Sequence, residues 1–336
     1  MGAQFNSSYH SIISLENLLE AWREFVVGKK LRKDIQEFEL NLMANVLQLY
    51  RDLNLKTYRH FDYEAFEISD PKPRNIHKAS VRDRLLHHAL YRKLLPFFER
   101  VFIHDSYSCR LKKGTHKALN RFRDFAYKVS KNQTKTVWIL RCDIRKFFAS
   151  IDQSILLKIV GTHISEPNIM WLISQIVGSF HSTRRGIGLP LGNLTSQLLV
   201  NVYMNEFDQF VKNELRVKYY IRYADDFVFL FPNKQELESL LGPVSNFLAG
   251  SLNLELHSDK VSIRTLGSGV DFLGWVNFPD HRVLRPVTRR RMMAAIDRSG
   301  GKTETAQSYL GLLCHGNAKK LAKNIEDKLN EEGEYP

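Results

Sequence analysis

Three carboxylates stand where apolar sequence leaves little room for charge. Asp143 ends the β-rich run Val137-Trp138-Ile139-Leu140-Arg141-Cys142, and Asp225-Asp226 separates Tyr219–Ala224 from Phe227-Val228-Phe229-Leu230-Phe231. A carboxylate at the end of a buried strand is costly unless it is paired or bound to a cation. An Asp-Asp pair alone is an ordinary turn signal, because Asp favours turns. Here the strand that follows is apolar throughout, and the two adjacent negative charges repel each other. Carboxylates from two strands converging on one point supply what a hard dication such as Mg²⁺ needs. In a two-ion site, one ion activates an attacking oxygen and the other steadies a leaving phosphate.

The elements that must position these groups follow from periodicity. The run 137–142 predicts a buried strand and 219–231 a hairpin with Ala224-Asp225-Asp226 at its tip. Residues 11–55 read as helical, with Leu18, Leu19, Trp22, Phe25 and Val26 at helical spacing, and Phe38, Leu42, Val46 and Leu49 likewise. The segment 71–75 (PKPRN) breaks that pattern, and a helix is expected from Ser80 to Arg100. A turn over 186–192 (GIGLPLG) precedes a helical pattern to about Val217. Short strands are expected over 261–284, with Gly267, Gly269 and Gly274 between them, and helices from Arg289 to Leu329. Helices first, strands and helices mixed in the middle, and helices last predict an α+β fold rather than regular βαβ alternation.

Composition excludes several classes. The chain has 336 residues, 43% apolar and 25% charged, with a net charge of +13. That length and apolar content predict one large domain or two to three smaller ones with a substantial core, not a disordered chain. No run of 18 apolar residues is present, so no membrane span is expected. The first residues, Met-Gly included, carry no strong secretory or lipidation signal. Cys109, Cys142 and Cys314 are odd in number and far apart, which predicts a reducing cytoplasm. Basic residues cluster: nine Lys or Arg against Asp124 between Arg110 and Lys135, and seven against Asp297 between Arg282 and Lys302. Any one such run is most often a solvated face; two in one chain favour a polyanion groove. Gly301-Lys302-Thr303 lacks the earlier glycine of a P-loop, since Ile296 stands there, and no HExxH or GxSxG pattern occurs.

Tyr223-Ala224-Asp225-Asp226 resembles the YxDD box of reverse transcriptases, and it does not stand alone. Asp143-Ile144-Arg145-Lys146-Phe147-Phe148 is similar to the family's first catalytic box. Asp105–Arg110 running into Lys113–Leu119 resembles the fingers motif. The stretch Gly188–Gln197, with Asn201 and Tyr203, is similar to the loop and helix below the incoming nucleotide. Lys260 and Phe272-Leu273-Gly274-Trp275 fall where later boxes fall. Six boxes in family order from about 70 to 285 are specific where a four-residue match is weak. Group II intron and retroviral enzymes carry Gln after the loop's Pro; here that position is Leu191, a form that resembles the reverse transcriptases of diversity-generating retroelements.

The resemblance implies a right-hand polymerase: fingers in 1–140, a palm in 141–285 with an insertion near 155–190, and a helical thumb in 286–336. It implies RNA-directed synthesis of cDNA from dNTPs with two Mg²⁺ ions, for which Mn²⁺ substitutes. Asp143, Asp225 and Asp226 would be metal ligands, with the backbone carbonyl of Ile144, and Lys260 the general acid for pyrophosphate. Arg110 and Lys113 would clamp the triphosphate, and Phe148 would act as a steric gate against a 2′-OH. Leu191, Gly192 and Gln197 would face the nucleotide, and Asn201, Leu273, Gly274 and Trp275 the template or primer. Each has a plainer reading: a core aromatic for Phe148, a surface cation for Arg110, Lys113 or Lys260, and helix-to-loop hydrogen bonds for Gln197 and Asn201. Lys112 competes with Lys113.

The implied partners are a structured template RNA and a small basic oligomeric accessory protein, in a cytoplasmic setting without a membrane. No maturase, endonuclease or RNase H region is expected. A defence-associated or retron-type reverse transcriptase is the alternative within the fold, and a non-catalytic RNA-binding scaffold the alternative outside it. Leu191 cannot make the hydrogen bonds a Gln makes there, which implies relaxed base selection and error-prone copying at template adenines (mutagenic retrohoming). Leu191→Gln should therefore lower misincorporation opposite template adenine, measured by sequencing cDNA; an unchanged error spectrum refutes that role.

Overall fold

The computed structural model describes residues 3–69, 73–299 and 303–333. The Met1-Gly2 start, Pro71 and Lys72 of the 71–75 break, and Gly301-Lys302 with the end of the second basic cluster lie outside the described residues.

The chain opens with α1 (Tyr9–Ile13), α2 (Leu15–Phe25), α3 (Lys33–Leu40) and α4 (Leu42–Asn54), then a hairpin of β1 (Glu64–Ile68) and β2 (Arg74–Lys78). Helices α5 (Val81–Val101) and α6 (Thr115–Val129) precede β3 (Trp138–Asp143). Next come α7 (Phe147–Ser150), α8 (Gln153–His163), α9 (Pro167–Val177) and α10 (Leu194–Gln209), the last prolonged by a π-helical turn over Phe210–Glu214. Strands β4 (Tyr220–Tyr223) and β5 (Asp226–Phe231) lead to α11 (Lys234–Leu252). The chain ends with β6 (Ser262–Thr265), β7 (Val270–Phe272), β8 (Trp275–Asn277), β9 (Arg282–Leu284), α12 (Pro286–Arg298), α13 (Thr303–Leu313) and α14 (Lys319–Gly333). The architecture is α+β, as the pattern predicts. Among the described residues no helix is long and apolar enough to cross a membrane.

The break at 71–75 conceals the hairpin β1–β2, whose register pairs Glu64 with Lys78 and Ile68 with Arg74. All five residues of β1 are exposed, so no alternation of apolar and polar positions marks the strand.

The chain forms two compact units, each drawn from three stretches: Met1–Arg110, Ile144–Val217 and Gly242–His257 in the first, Leu111–Asp143, Lys218–Leu241 and Ser258–Pro336 in the second. In the first, α5 is the hub, packed by α1 to α4 and α10. Its start is set by Ser80, whose side chain accepts from Asp83 N–H. Asp83 is itself fully buried, accepting from Tyr58 Oη at 2.8 Å, Ser80 Oγ at 2.7 Å and the Phe61 N–H at 3.1 Å. Those three donors satisfy a charge that burial would otherwise penalise.

In the second unit a four-stranded sheet, order β4-β5-β3-β6, is antiparallel throughout. Phe227, Val228, Phe229 and Leu230 are completely buried, so β5 is covered on both faces and reads as a continuous apolar run. Helix α6 packs on β4 and β5, with Phe125 edge-on to Tyr219 at 5.2 Å.

A second sheet, β7-β8-β9, turns at Leu273 and Gly274, both left-handed with φ of 50° and 86°. Two positive φ values are what a two-residue hairpin loop with right-handed strand twist requires. The hairpin places Trp275 in the core at 2% exposure, its ring against Gly316, where an added Cβ would lie 2.0 Å from Cζ3. Gly316→Ala must displace the indole, and overpacking of this kind costs about 1–3 kcal/mol. Urea unfolding should show that loss; an unmoved midpoint would mean the ring does not depend on this gap.

Candidate active site

The carboxylates are brought together by strand register. On the neighbouring antiparallel strands β3 and β5, Asp143 stands directly opposite Asp226. Directly paired residues have Cβ atoms about 4.5–5.5 Å apart and share a face. Asp225 precedes Asp226 in the β4–β5 turn, where Ala224 is left-handed with φ of 55°. The turn is braced from below by Arg222, which is fully buried and donates from Nη1 to the Ala224 carbonyl at 3.1 Å. Thr115 Oγ1 donates to Tyr223 Oη at 3.2 Å.

Positive groups answer this charge. Lys260, in a single 3-10 turn ahead of β6, donates from Nζ to Asp143 Oδ1 at 2.7 Å. Arg141, two residues before Asp143 on the same face of β3, donates to Asp226 Oδ1 at 3.2 Å. Arg141 also lies 3.9 Å from Asp271, which is paired in turn with Arg285. Burial first, then the charges of Asp226 and Asp143, push the Asp225 carboxyl up to about 6, partly opposed by Lys260. Burial likewise raises Asp226, against the pull of Arg141. Arg141, Asp271 and Arg285 were not singled out by sequence reasoning. The signal was an arginine inside an otherwise apolar strand.

Among the described residues, no three His, Cys, Asp or Glu side chains are grouped tightly enough to hold a metal ion. The donor chemistry nonetheless fits a hard dication: oxygen ligands only, with burial and then the neighbouring carboxylates raising the proton affinity of Asp225 and Asp226. Lys260 and Arg141 occupy two of them as counter-charges. Ile144 is buried and forms an isolated antiparallel bridge with Leu256.

The remaining expected residues divide between the units. Lys113 lies in the second, half-buried just ahead of α6. Leu273 and Gly274 form the half-exposed β7–β8 turn, whereas Trp275 is buried. Trp275 is thus a core residue, and the expectation that it touches template or primer is corrected: the indole face packs on Gly316 instead of reaching solvent.

In the first unit, the adjacent phenylalanines separate: Phe147 is buried and Phe148 half-exposed. The loop 186–192 is laced to this segment, with Leu189 N–H donating to the Phe148 carbonyl at 2.8 Å and Gly188 N–H to the Ile151 carbonyl at 2.7 Å. Gln153 Nε2 ties in the carbonyls of Phe180 and Gly188 at 2.6 and 2.9 Å. Leu191 is half-buried and its carbonyl accepts from His77 N–H at 3.0 Å, while Asn193 Nδ2 donates to the His77 carbonyl at 2.9 Å. Gly192 has φ of 108°, and a Cβ there would meet Ile76 Cγ2 at 2.9 Å. The hairpin β1–β2 therefore fixes the loop from outside. Gln197 is half-buried on α10.

Two expectations fail here. Asn201 is 1% exposed and donates to the Ser108 carbonyl at 2.9 Å and to Gln197 O at 3.2 Å, so it ties α10 to the 105–110 segment and faces no template. Arg110 is not available to a triphosphate. Its side chain is 4% exposed, Nε and Nη2 fork onto Glu99 at 2.9–3.1 Å, and Nη1 donates to the carbonyls of Ile103 and Ser106 at 2.6 and 3.0 Å. Every part of the guanidinium is occupied by the protein itself.

Comparison with known proteins gives the family. The family model described as reverse transcriptase (RNA-dependent DNA polymerase) matches residues 69–277, well over half of the chain. The protein YkfC of Escherichia coli is 26% identical over 267 residues, which cover 68% of this chain and 68% of YkfC. The group II intron-encoded protein LtrA of Lactococcus lactis is 23% identical over 279 residues, 62% of this chain and 44% of LtrA, so the chain spans under half of that relative. Telomerase of Candida albicans, solved with a TWJ fragment of telomeric RNA, aligns at a TM-score of 0.48 and 13% identity, covering 69% of this chain and 50% of that one.

Removing one member of a buried ion pair strands the other, at a cost of about 3–5 kcal/mol. Arg110→Ala should therefore lower the unfolding midpoint sharply by leaving Glu99 uncompensated. A variant of unchanged stability with a raised KM for dNTPs would restore the clamp role.

Proposed function

The chain belongs to the reverse transcriptase family, and we propose that it is an RNA-directed DNA polymerase that copies a structured template RNA into cDNA for targeted diversification of a variable gene. The observation that carries the reading is the pairing of Asp143 with Asp226 across β3 and β5, with Asp225 on the adjoining turn. In this reading the palm holds that sheet, the fingers precede it and the helices after residue 285 form the thumb. The retroelement assignment and error-prone copying rest on the Leu191 form of the nucleotide loop. The same likeness supplies the small basic accessory protein as a second partner.

Asp143, Asp225 and Asp226 would hold two divalent ions, with the Ile144 carbonyl beside them. When bound, Mg²⁺ supplies a lowered pKa for the primer 3′-OH and neutralises charge on the departing pyrophosphate. The protein's own groups do the rest. Arg141 orients Asp226 through its 3.2 Å hydrogen bond and is itself anchored toward Asp271. Lys260 Nζ donates a hydrogen bond to Asp143 and, once released from that carboxylate, would serve as the general acid for the leaving group. Phe148, the half-exposed ring of its pair, would by the family likeness act as the steric gate against a 2′-OH. By the family likeness, Leu191, Gly192 and Gln197 of the first unit and Lys113 of the second would serve the nucleotide, and the Leu273-Gly274 turn the primer strand.

Primer extension with Mg²⁺, dNTPs and an RNA template tests the assignment. Asp225→Asn should reduce extension by at least roughly a hundredfold, beyond the range seen when only a partner of a metal ligand is removed. Added Mg²⁺ should raise the melting temperature of the parent chain and leave that of Asp225→Asn almost unmoved. Extension by Asp225→Asn at the parent rate would leave the scaffold reading in its place.

A further inference from the structure

The basic segment that begins the second unit is not absorbed by the catalytic site. Helix α6 and the loop after it carry Arg123, Lys128, Lys131 and Lys135, all exposed. The buried face of α6, with Phe122, Phe125, Ala126 and Val129, covers the sheet, which turns Arg123, Tyr127 and Lys128 outward together. Along the border of that face, where Phe122 and Ala126 also contribute, lie three cavities of 290, 410 and 410 Å³. The first two share Arg123 and Asp280, and the last two share Tyr127, Gln133 and Pro279, so they form one continuous groove. One end reaches Arg282 and His315, and the other reaches Lys135, Val137 and Thr265.

Val137 precedes β3 at the end opposite Asp143, and Trp138 pairs with Phe231 and Thr265 there. Five steps along a strand span about 17 Å. The Lys135–Val137 end of the groove is thus at the far edge of the sheet from the carboxylates.

Its chemistry is that of a polyanion site with flat apolar faces. Arg123, Lys128, Lys135 and Arg282 line it against Asp124 and Asp280, and Asp280 is already held by His281 at 2.7 Å. Arg282 donates from Nε to the His315 carbonyl and from Nη2 to Asn120 Oδ1 at 3.1 Å, with Nη1 buried, so it shapes the wall at that end of the groove rather than offering a free cation. Tyr127 is 50% exposed in the groove, and Phe278 and His281 stack at 4.8 Å on its wall. The loop that closes one side holds three successive non-glycine residues in the left-handed region, Lys131, Asn132 and Gln133, with φ of 48°, 61° and 65°. Such residues are strained and persist where the surrounding structure over-determines them. Here Ser130 Oγ accepts from Gln133 N–H at 2.8 Å, and Gln133 Nε2 donates to the Pro279 carbonyl at 2.9 Å, which fixes the width of the groove.

We propose that this groove binds a single-stranded segment of RNA outside the catalytic path, its phosphates on Arg123, Lys128 and Lys135 and its bases stacked on Tyr127 and on the Phe278–His281 pair. Unpaired bases are what exposed aromatic faces receive, and a basic trough beside them follows the backbone without reading sequence. An acidic protein segment would satisfy the cations but would leave the aromatic faces unused. That the strand is RNA rests on the reverse transcriptase reading; the groove as a site does not.

The test uses the full chain carrying Asp225→Asn, with its catalytic path saturated by an unlabelled primer–template duplex. A fluorescein-labelled 12-nucleotide single-stranded RNA is the probe. Adding Arg123→Glu with Lys128→Glu, or Tyr127→Ala alone, should weaken its binding about tenfold or more. The slope of log affinity against log salt should fall by roughly 0.7 for each phosphate that the variant no longer neutralises. Arg123→Lys with Lys128→Arg should retain binding. All these positions are exposed, and melting temperatures check that the fold is kept. Ultraviolet crosslinking of 4-thiouridine RNA should mark the Tyr127 or Phe278–His281 peptides. Unchanged affinity in the groove variants, crosslinks confined to the peptides carrying Asp143 or Asp225, or displacement by polyglutamate more readily than by unlabelled RNA would each overturn the proposal. So would tighter binding of a DNA 12-mer of the same sequence. Absence of primer extension by the parent chain with probe binding intact would strike the catalytic reading alone.

Discussion

Three carboxylates concentrated at one end of an antiparallel sheet are the constraint on which the second unit is built. Pairing β3 with β5 places Asp143 opposite Asp226, and the β4–β5 turn adds Asp225. Like charges directly opposed on a sheet are destabilising. The sheet tolerates them because the rest of the strands supplies a large apolar core, with Phe227 to Leu230 fully buried, and because cations are built in beside them. Lys260 meets one carboxylate and Arg141 another, so the repulsion is moderated without neutralising the set. Burial first, and then the residual repulsion from Asp226 and Asp143, holds the Asp225 carboxyl above its ordinary value. A site of this kind is costly when empty of added positive charge, which is the condition a binder of divalent cations should meet.

The first unit solves a different problem: holding loops rigid without regular structure. The 186–192 loop has its backbone groups bonded to Phe148, Ile151, Gln153 and His77. The 105–110 segment is clamped by Arg110 and Asn201, both withdrawn from solvent. Buried polar groups in such positions are satisfied by neighbouring carbonyls, and their removal leaves those acceptors exposed to an apolar interior. Residues that look like ligand-binding groups by type thus act as positioning residues one layer deeper.

That difference marks how far residues alone could be read. The strand ending at Asp143 and the hairpin around Ala224-Asp225-Asp226 were legible as short apolar, β-rich runs that stop at carboxylates, and the α5 helix as an apolar stripe of period 3.6 with a clear break before it. The β1–β2 hairpin was not, since its strands bury little and so carry no period. The ambiguity between Phe147 and Phe148 was also undecidable from sequence. Adjacent aromatics offer the same chemistry, and only packing selects which ring enters the core. Arg141 was visible as a misplaced charge, but its partner across the sheet was not.

By itself, the sequence determined the α+β class, the identity of the three carboxylates and the order of the boxes that surround them. These are local properties, written in periodicity, turn residues and residue type. Tertiary structure alone decided that Asp143 faces Asp226, that Arg110, Asn201 and Trp275 turn inward, and that the basic face of α6 lines a groove running to the end of β3 opposite Asp143. The physical reason is that register and burial depend on pairings between stretches far apart in the chain. A side chain's charge or ring is fixed by its own residue, whereas what it can reach is fixed by its neighbours.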